Sequence, residues 1–317
     1  MEGLRPRRSD AQPLAAGRSG VPDRGADPTH LARLPFLPFA DPKLTRGPGV
    51  QPLDPATWLE RDAAFAAQMA LRDGLVAEKL GAVTALIPEG AAALEELLAL
   101  VCDALRADPA YAVGAQVTRP DGATVDLSDP LPALARLVQE DLLLLDKPEG
   151  AAEHRLLGGV LCFPARWSLA QKMARGLLAI HEPIPYYAEA LGARVQRLFD
   201  AIRPERPLWR ANWLLHTWPE LHQPAEEKAK KPRRFETDPI WLRMERQTLR
   251  RLPGTGAVVF GIKTSVAPIE SLTAEEGRVL TRVVAALPEI EYRFKGGDVL
   301  LARLNALYAP DGPLRRA

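Results

Sequence analysis

Cysteine is scarce in this sequence. Its only two, Cys102 and Cys162, stand far apart with no C-x-x-C spacing, which excludes a disulfide framework and an all-cysteine metal site and predicts a reducing compartment. An excess of one charge is missing too. With 41 basic and 40 acidic side chains the formal net charge is +1, without the clustered Lys and Arg that phosphate binding requires, which argues against nucleic acid as the main partner. Aromatic residues make up 6% of the chain, and no apolar run nears the roughly 20 residues that span a bilayer. Arg7-Arg8 resembles a twin-arginine signal, but no apolar stretch follows it. These absences predict a soluble, cytoplasmic globular protein.

Catalytic signatures are missing as well: there is no G-x-G-x-x-G after a strand, no G-x-x-x-x-G-K-[ST], no H-E-x-x-H and no G-x-S-x-G. Nucleotide binding, zinc-peptidase chemistry and a nucleophile elbow therefore have no support on this chain. What is present begins with a Pro-, Gly- and Arg-rich stretch over 1–29 that reads as a disordered tail, followed by one domain over 30–317. A charged tract at about 224–237 reads as an exposed loop. After a Pro-rich wrapping segment anchored by Phe36 and Phe39, Asp54-Pro55 is expected to open a helix carrying Trp58, Phe65, Met69 and Val76. A second helix is expected from about Gly90 to Ala107, with the stripe Leu94, Leu97, Leu98, Val101 and Leu105, and a third from Leu131 to Leu145. Asp121-Gly122 marks a tight turn between short strands. Strands are expected at Arg155–Phe163, Trp209–His216, Trp241–Arg251 and Ala257–Val266, the last two joined as a hairpin by Leu252–Gly256. A final helix runs from Thr273 to Leu287, with Thr273 and Glu276 as a capping box. The class is α+β, an antiparallel sheet covered by helices.

Two features can carry chemistry. His181, in LLAIHEPIPYYAE, ends an apolar stretch just before Pro183 and Pro185, a rigid corner that suits either an axial ligand for haem iron or a helix-terminal histidine bonded to carbonyls. His216 and His222, six residues apart in NWLLHTWPELHQP, read first as packing histidines. The run RMERQTLRR places Arg243, Glu245, Gln247 and Leu249 on one face of a strand and Met244, Arg246, Thr248 and Arg250 on the other. Neither face is apolar, so this strand lines a polar pocket or is a charged edge strand.

In order along the chain, LPFLPFADPKLTRGPGVQPLDPATWLERD, LCFPARWSLAQKMARGLLAIHEPIPYYAE, WRANWLL and LRMERQTLRRLPGTGAVVFGIKTSVAPI resemble the haem-dependent oxidative N-demethylase family over about residues 34–290. Studied members are the haem-binding subunit of dimethylamine monooxygenase. The resemblance implies a PAS-like, haem b-binding antiparallel core, and oxidative removal of an N-methyl group from a small secondary or tertiary amine as formaldehyde. Electrons would come from NADPH through FMN and an iron–sulfur cluster on a separate reductase. A haem-binding sensor or non-catalytic scaffold is the alternative. Carried onto this sequence, the motifs make His181 the axial ligand, with His216 and His222 as the other choices. They make Arg246 and Arg250 the partners of propionates or pocket charge, and Glu245 the holder of the substrate ammonium or the proton carrier. Trp167, Lys172 and Asn212 become cofactor contacts. Tyr186-Tyr187 and Gln171-Lys172-Met173-Ala174 depart from the family pattern beside this corner, which sets the substrate apart from an assumed dimethylamine.

Overall fold

The computed structural model describes residues 27–45, 49–181, 192–224 and 233–309. Most of the N-terminal tail, Tyr186-Tyr187 and the middle of the charged loop lie outside the described residues. After a single helical turn α1 (Pro42–Thr45) and the two-residue β1 (Gln51–Pro52), the chain forms α2 (Phe65–Val83), β2 (Thr84–Leu86) and α3 (Ala91–Arg106). Then come β3 (Ala112–Val113), β4 (Gln116–Thr118), β5 (Thr124–Asp126), α4 (Pro130–Leu137), β6 (Asp141–Asp146) and β7 (Arg155–Val160). Two short helices, α5 (Leu169–Lys172) and α6 (Leu177–His181), and α7 (Gly192–Ala201) precede three long strands, β8 (Leu208–His216), β9 (Trp241–Arg251) and β10 (Val258–Pro268). The described chain closes with α8 (Ala274–Ala285), α9 (Glu289–Lys295) and α10 (Gly297–Tyr308).

Seven strands form one antiparallel sheet in the order β1-β8-β9-β10-β6-β7-β2, and β3-β4-β5 form a small second sheet. The class is α+β. The expected hairpin is β9 and β10, paired over their full length from Trp241 opposite Pro268 to Arg251 opposite Val258. The expected turn at Gly122 joins β4 to β5 with φ +85°, and the capping box on Thr273 and Glu276 is formed. The α3 stripe is buried as its period requires.

Both faces of the large sheet are covered, by different elements. One face carries Leu142, Leu144 and Val259 into a core with α3 and α4, and Trp213, Leu215, Met244 and Ala267 into a core with α8 and α10. The other carries Leu143, Leu145, Leu249 and Ile262 into a core with Leu169, Leu177 and Phe199 of α5, α6 and α7. This two-sided burial explains the unbroken Leu142–Leu145 run. It also corrects the expected Leu131–Leu145 helix, which stops at Leu137 and gives way to strand β6. Buried Arg72 of α2 takes the carbonyls of Ala135, Gln139 and Glu140, with distances of 2.7, 3.2 and 2.9 Å, and pairs with Asp141 at 2.9 Å. The carbonyl of Ala135 in the last turn of α4 and those of Gln139 and Glu140 beyond it are thereby satisfied without further helix.

Two further corrections follow from tertiary hydrogen bonds. Asp54 does cap Pro55, accepting from Ala56 N at 3.0 Å, but only one 3-10 turn follows, and the helix begins at Phe65. Arg246 takes the carbonyls of Thr57 and Trp58, while Glu140 and Gln139 accept from the amides of Glu60 and Asp62, so side chains replace the helical bonds. The helix after Thr273 is not the last, because Pro288 and the Gly296–Gly297 pair, at φ +142° and +59°, break the chain into α9 and α10. The β9 strand is central and not an edge strand, lying between β8 and β10.

Candidate functional site

The polar side of β9 has neighbours that the register names. Glu245 faces Asn212 of β8 and Thr264 of β10, and Gln247 faces Arg210 and Ile262, so all six share one face of the sheet. Farther along the same face the lining turns apolar, through Leu208, Leu249, Phe260 and Leu143. Arg210, Asn212, Gln247 and Phe260 are only half-buried, whereas the other middle residues of β9 and β10 are buried and only the strand ends, Trp241, Arg250, Arg251 and Pro268, are again half-buried. Polar side chains on a strand this central are costly unless paired. Glu245 is paired within its own strand: Arg243 Nε lies 3.5 Å from Oε1 and Gln247 Nε2 donates to Oε2 at 3.1 Å.

Above this face stand α5, α6 and α7. Leu177 and Ile180 of α6 belong to the same apolar cluster as Leu249 and Ile262, as do Trp167 and Met173. Buried Lys172 ends α5 and donates to the Ile180 carbonyl, which ties α5 to α6. His181 is the last residue of α6, and the residues after it, with its own side chain, lie outside the described ones. His154 supports α6 and α7 from below. Its carbonyl accepts from Leu177 N at 3.0 Å, and its Nδ1 lies 3.1 Å from Gln196 Oε1. Burial holds the His154 imidazole below its ordinary pKa.

Four of the predicted residues, Glu245, Asn212, Trp167 and Lys172, therefore gather around this face and the helices on it. Arg246 and Arg250 do not join them, because strand alternation turns both to the opposite face. Arg246 Nη2 and Nη1 donate to the carbonyls of Thr57 and Trp58 at 2.7 and 3.2 Å, and Nε pairs with Glu60 at 3.1 Å. The Arg250 guanidinium lies 4.7 Å from the centre of the Trp58 ring. There a cavity of about 190 Å³ is lined by Pro35, Glu60, Asp62, Arg246 and Lys263, whose charges are matched as Arg246–Glu60 and Lys263–Asp62.

The far end of β8 brings the alternative ligand candidates His216 and His222 together with Lys295, Arg166 and Arg233, which sequence reasoning passed over. His216 is 3% exposed, edge-on to Trp218 at 5.9 Å, and its Nδ1 is buried without a hydrogen-bond partner. Burial first, then Arg243, Arg233 and Arg166, push its pKa well below the ordinary value, so the ring is neutral. His222, by contrast, is tied through Nδ1 to the Cys162 carbonyl at 2.7 Å. Lys295 of α9 caps the open edge of β8, donating to the Trp213 carbonyl at 2.8 Å over the Trp213 ring, and burial lowers its pKa to about 8. The only sequence signal for this end was the density of aromatics and histidines in NWLLHTWPELHQP, because the arginines around it come from separate segments.

A haem needs a flat apolar wall, one protein ligand for an iron already held by its macrocycle, and cations for its carboxylates. The partly open face of β8–β10 has the wall in Leu208, Leu249 and Phe260, a half-buried cation in Arg210, and a histidine at the end of the α6 helix that packs on it, while a second, neutral imidazole stands at the far end of β8 in His216. The residues fit the group. Among the described residues no helix is long and apolar enough to cross a membrane. Over residues 49–304 the chain matches the model of the haem-dependent oxidative N-demethylase, alpha subunit-like proteins, and it belongs to that family.

Proposed function

We propose that the chain is the haem-bearing subunit of a cytoplasmic monooxygenase that removes a methyl group from a small secondary or tertiary amine. Residues 30–317 form its PAS-like haem-binding unit and residues 1–29 its tail. The observation that carries this reading is the polar patch of Arg210, Asn212, Glu245, Gln247 and Thr264, which adjoins on the same sheet face the apolar cluster that the helix ending in His181 packs against. A bound haem supplies activation of O2 for insertion of one oxygen atom into a methyl C–H bond. Two electrons and two protons are needed for the second oxygen atom to leave as water, and they come from a separate reductase carrying FMN and an iron–sulfur cluster and oxidising NADPH.

Glu245 holds the substrate ammonium by charge, and Asn212 opposite it fixes the orientation of the nitrogen. The product of oxygen insertion is a carbinolamine, the amine with a hydroxymethyl group on its nitrogen. Its collapse breaks the C–N bond, moves the hydroxyl proton to nitrogen and releases formaldehyde, and Glu245 is placed to carry that proton. The apolar cover of Leu177, Ile180 and Phe260 keeps water from the reacting carbon. His181 would hold the haem iron in this reading, with Lys172 bracing its helix through the Ile180 carbonyl.

Absorption spectra of the purified protein, with and without dithionite and carbon monoxide, test the first half of the proposal, and formaldehyde release from a panel of methylamines tests the second. His181→Ala is expected to abolish the native axial-ligand spectrum, while His216→Ala retains it. The reverse pattern moves the ligand to His216. A Soret band with no formaldehyde from any amine favours the sensor reading.

A further inference from the structure

Past Trp209 the outer edge of β8 has no strand beside it among the described residues, because β1 pairs only with Leu208 and Trp209. The Leu53 N–H takes the Pro207 carbonyl, so the carbonyls of alternate residues after Pro207, Trp213 among them, point to that open edge. Lys295 closes it. The last residue of α9 is 5% exposed, and its Nζ donates to the Trp213 carbonyl at 2.8 Å while lying 4.0 Å from the centre of the Trp213 ring. Its backbone is anchored from two sides. Arg233 donates to the carbonyls of Phe294 and Lys295 at 2.7 and 3.4 Å, and Gly296 packs so closely on Phe235 that a Cβ would meet its ring at 2.7 Å.

A strand-edge carbonyl needs only a neutral donor or a water, so a buried ammonium is more than this cap requires. Glu291, one turn back on α9, lies 3.8 Å from Nζ, and the other charged groups that act on Lys295 are Arg233, Glu245 of β9 and Arg210 of β8. Trp213 follows Asn212, and Asn212 stands directly opposite Glu245. The ammonium is thus held one residue from the pair proposed to take the substrate, within the field of Glu245. Burial, opposed by Glu291, brings the Lys295 pKa down to about 8. Its charge is therefore lost in a pH range where an alkylammonium substrate, like an unperturbed lysine, keeps its own.

We infer that Lys295 sets the affinity of the Glu245 site: its charge weakens the hold of Glu245 on a substrate ammonium, and its neutral form releases that restraint. The inference rests on the reading of Glu245 as the ammonium holder. Two cations near one carboxylate repel each other, so a protonated Lys295 opposes binding and a neutral one permits it. By reciprocity the bound ammonium drives the proton off Lys295 into the buffer.

Calorimetric titration of the haem-loaded protein with dimethylamine from pH 7 to 9, in buffers of different ionisation enthalpy, tests this without turnover. The wild type is expected to bind about fivefold more tightly at the upper end of that range than at the lower, and to release protons on binding between them. Lys295→Arg keeps a donor and a charge at every pH, and should bind at the weaker level throughout with no proton release. Lys295→Gln, a donor without charge, should bind at the tighter level throughout. Lys295→Arg decides the matter even where Lys295→Gln does not fold. A pH-dependent affinity that survives in Lys295→Arg, or a pH-independent wild type whose binding Glu245→Gln abolishes, overturns the role of Lys295 and leaves Glu245 as the holder. Amine binding that Glu245→Gln does not weaken overturns both.

Discussion

Glu245 is the residue on which the proposed chemistry turns. It is a buried acid on a central strand, surrounded by Arg243, Gln247 and Asn212, and no apolar packing role explains a carboxylate there. Glu245→Gln keeps the size and the Gln247 bond but removes the charge that holds an ammonium and the base that moves a proton. Formaldehyde release per haem should fall by about 100-fold or more, with the haem spectrum unchanged. Release at the wild-type rate removes Glu245 from the mechanism. Its position was legible in the sequence, because alternation along RMERQTLRR already placed it opposite in orientation to Arg246. What the sequence did not reveal was its neighbours, which arrive from β8 and β10.

Arg246 shows how one element can join distant segments. The β9 strand sends Glu245 to one face and Arg246 to the other, where the guanidinium clamps the 57–60 segment and lies 5.5 Å from the Trp209 ring. Sequence reading grouped the two as one site, and the sheet separates them. Arg246→Met strands the carbonyl of buried Trp58 and frees that of exposed Thr57 to water, and should cost about 1–3 kcal/mol, seen as a lower urea midpoint, with haem affinity unaltered. A loss of haem affinity at unchanged stability returns Arg246 to the cofactor site. The glycines of β7 make a related point about elements. Gly158 and Gly159, at φ +141° and +128°, lie so close to the backbones of β2 and β6 that a Cβ would collide with the Ala85 and Leu142 carbonyls. The sheet can pack β7 between two strands with its irregular register only because these positions lack side chains.

At the scale of the whole molecule, burial of histidines makes the fold sensitive to acid. His216 and His154 both have pKa values lowered by burial, so the unfolded chain binds protons near pH 6.5 that the native state refuses. Stability is therefore fully present above pH 6.5 and is lost as the pH falls below it, by up to about 1.4 kcal/mol per pH unit for each histidine. Glu140, whose carboxyl burial holds above the ordinary value, contributes a slope of the opposite sign, because its native state binds the extra proton. The difference between wild type and His216→Phe isolates the histidine. Urea midpoints measured from pH 7 to 5 should fall more steeply in the wild type, and parallel slopes would show that His216 is protonated in the native state.

Local patterning was enough to establish the α+β class, the β9–β10 hairpin, the α3 stripe and the Thr273 cap, since each depends on periodicity or on residues a few positions apart. The same local signals misread Leu131–Leu145 and the stretch after Asp54, because the hydrogen bonds that decide those backbones come from Arg72, Gln139, Glu140 and Arg246, remote in sequence. The motifs sufficed to indicate the family. Alternation put Arg246 and Glu245 on different faces, but only the tertiary structure decided which segments each face meets, and that His216, Arg166 and Arg233, drawn from three separate segments, come together at one end of β8. Alternation along a strand is a property of the chain itself, whereas the contents of a pocket depend on which strands become neighbours.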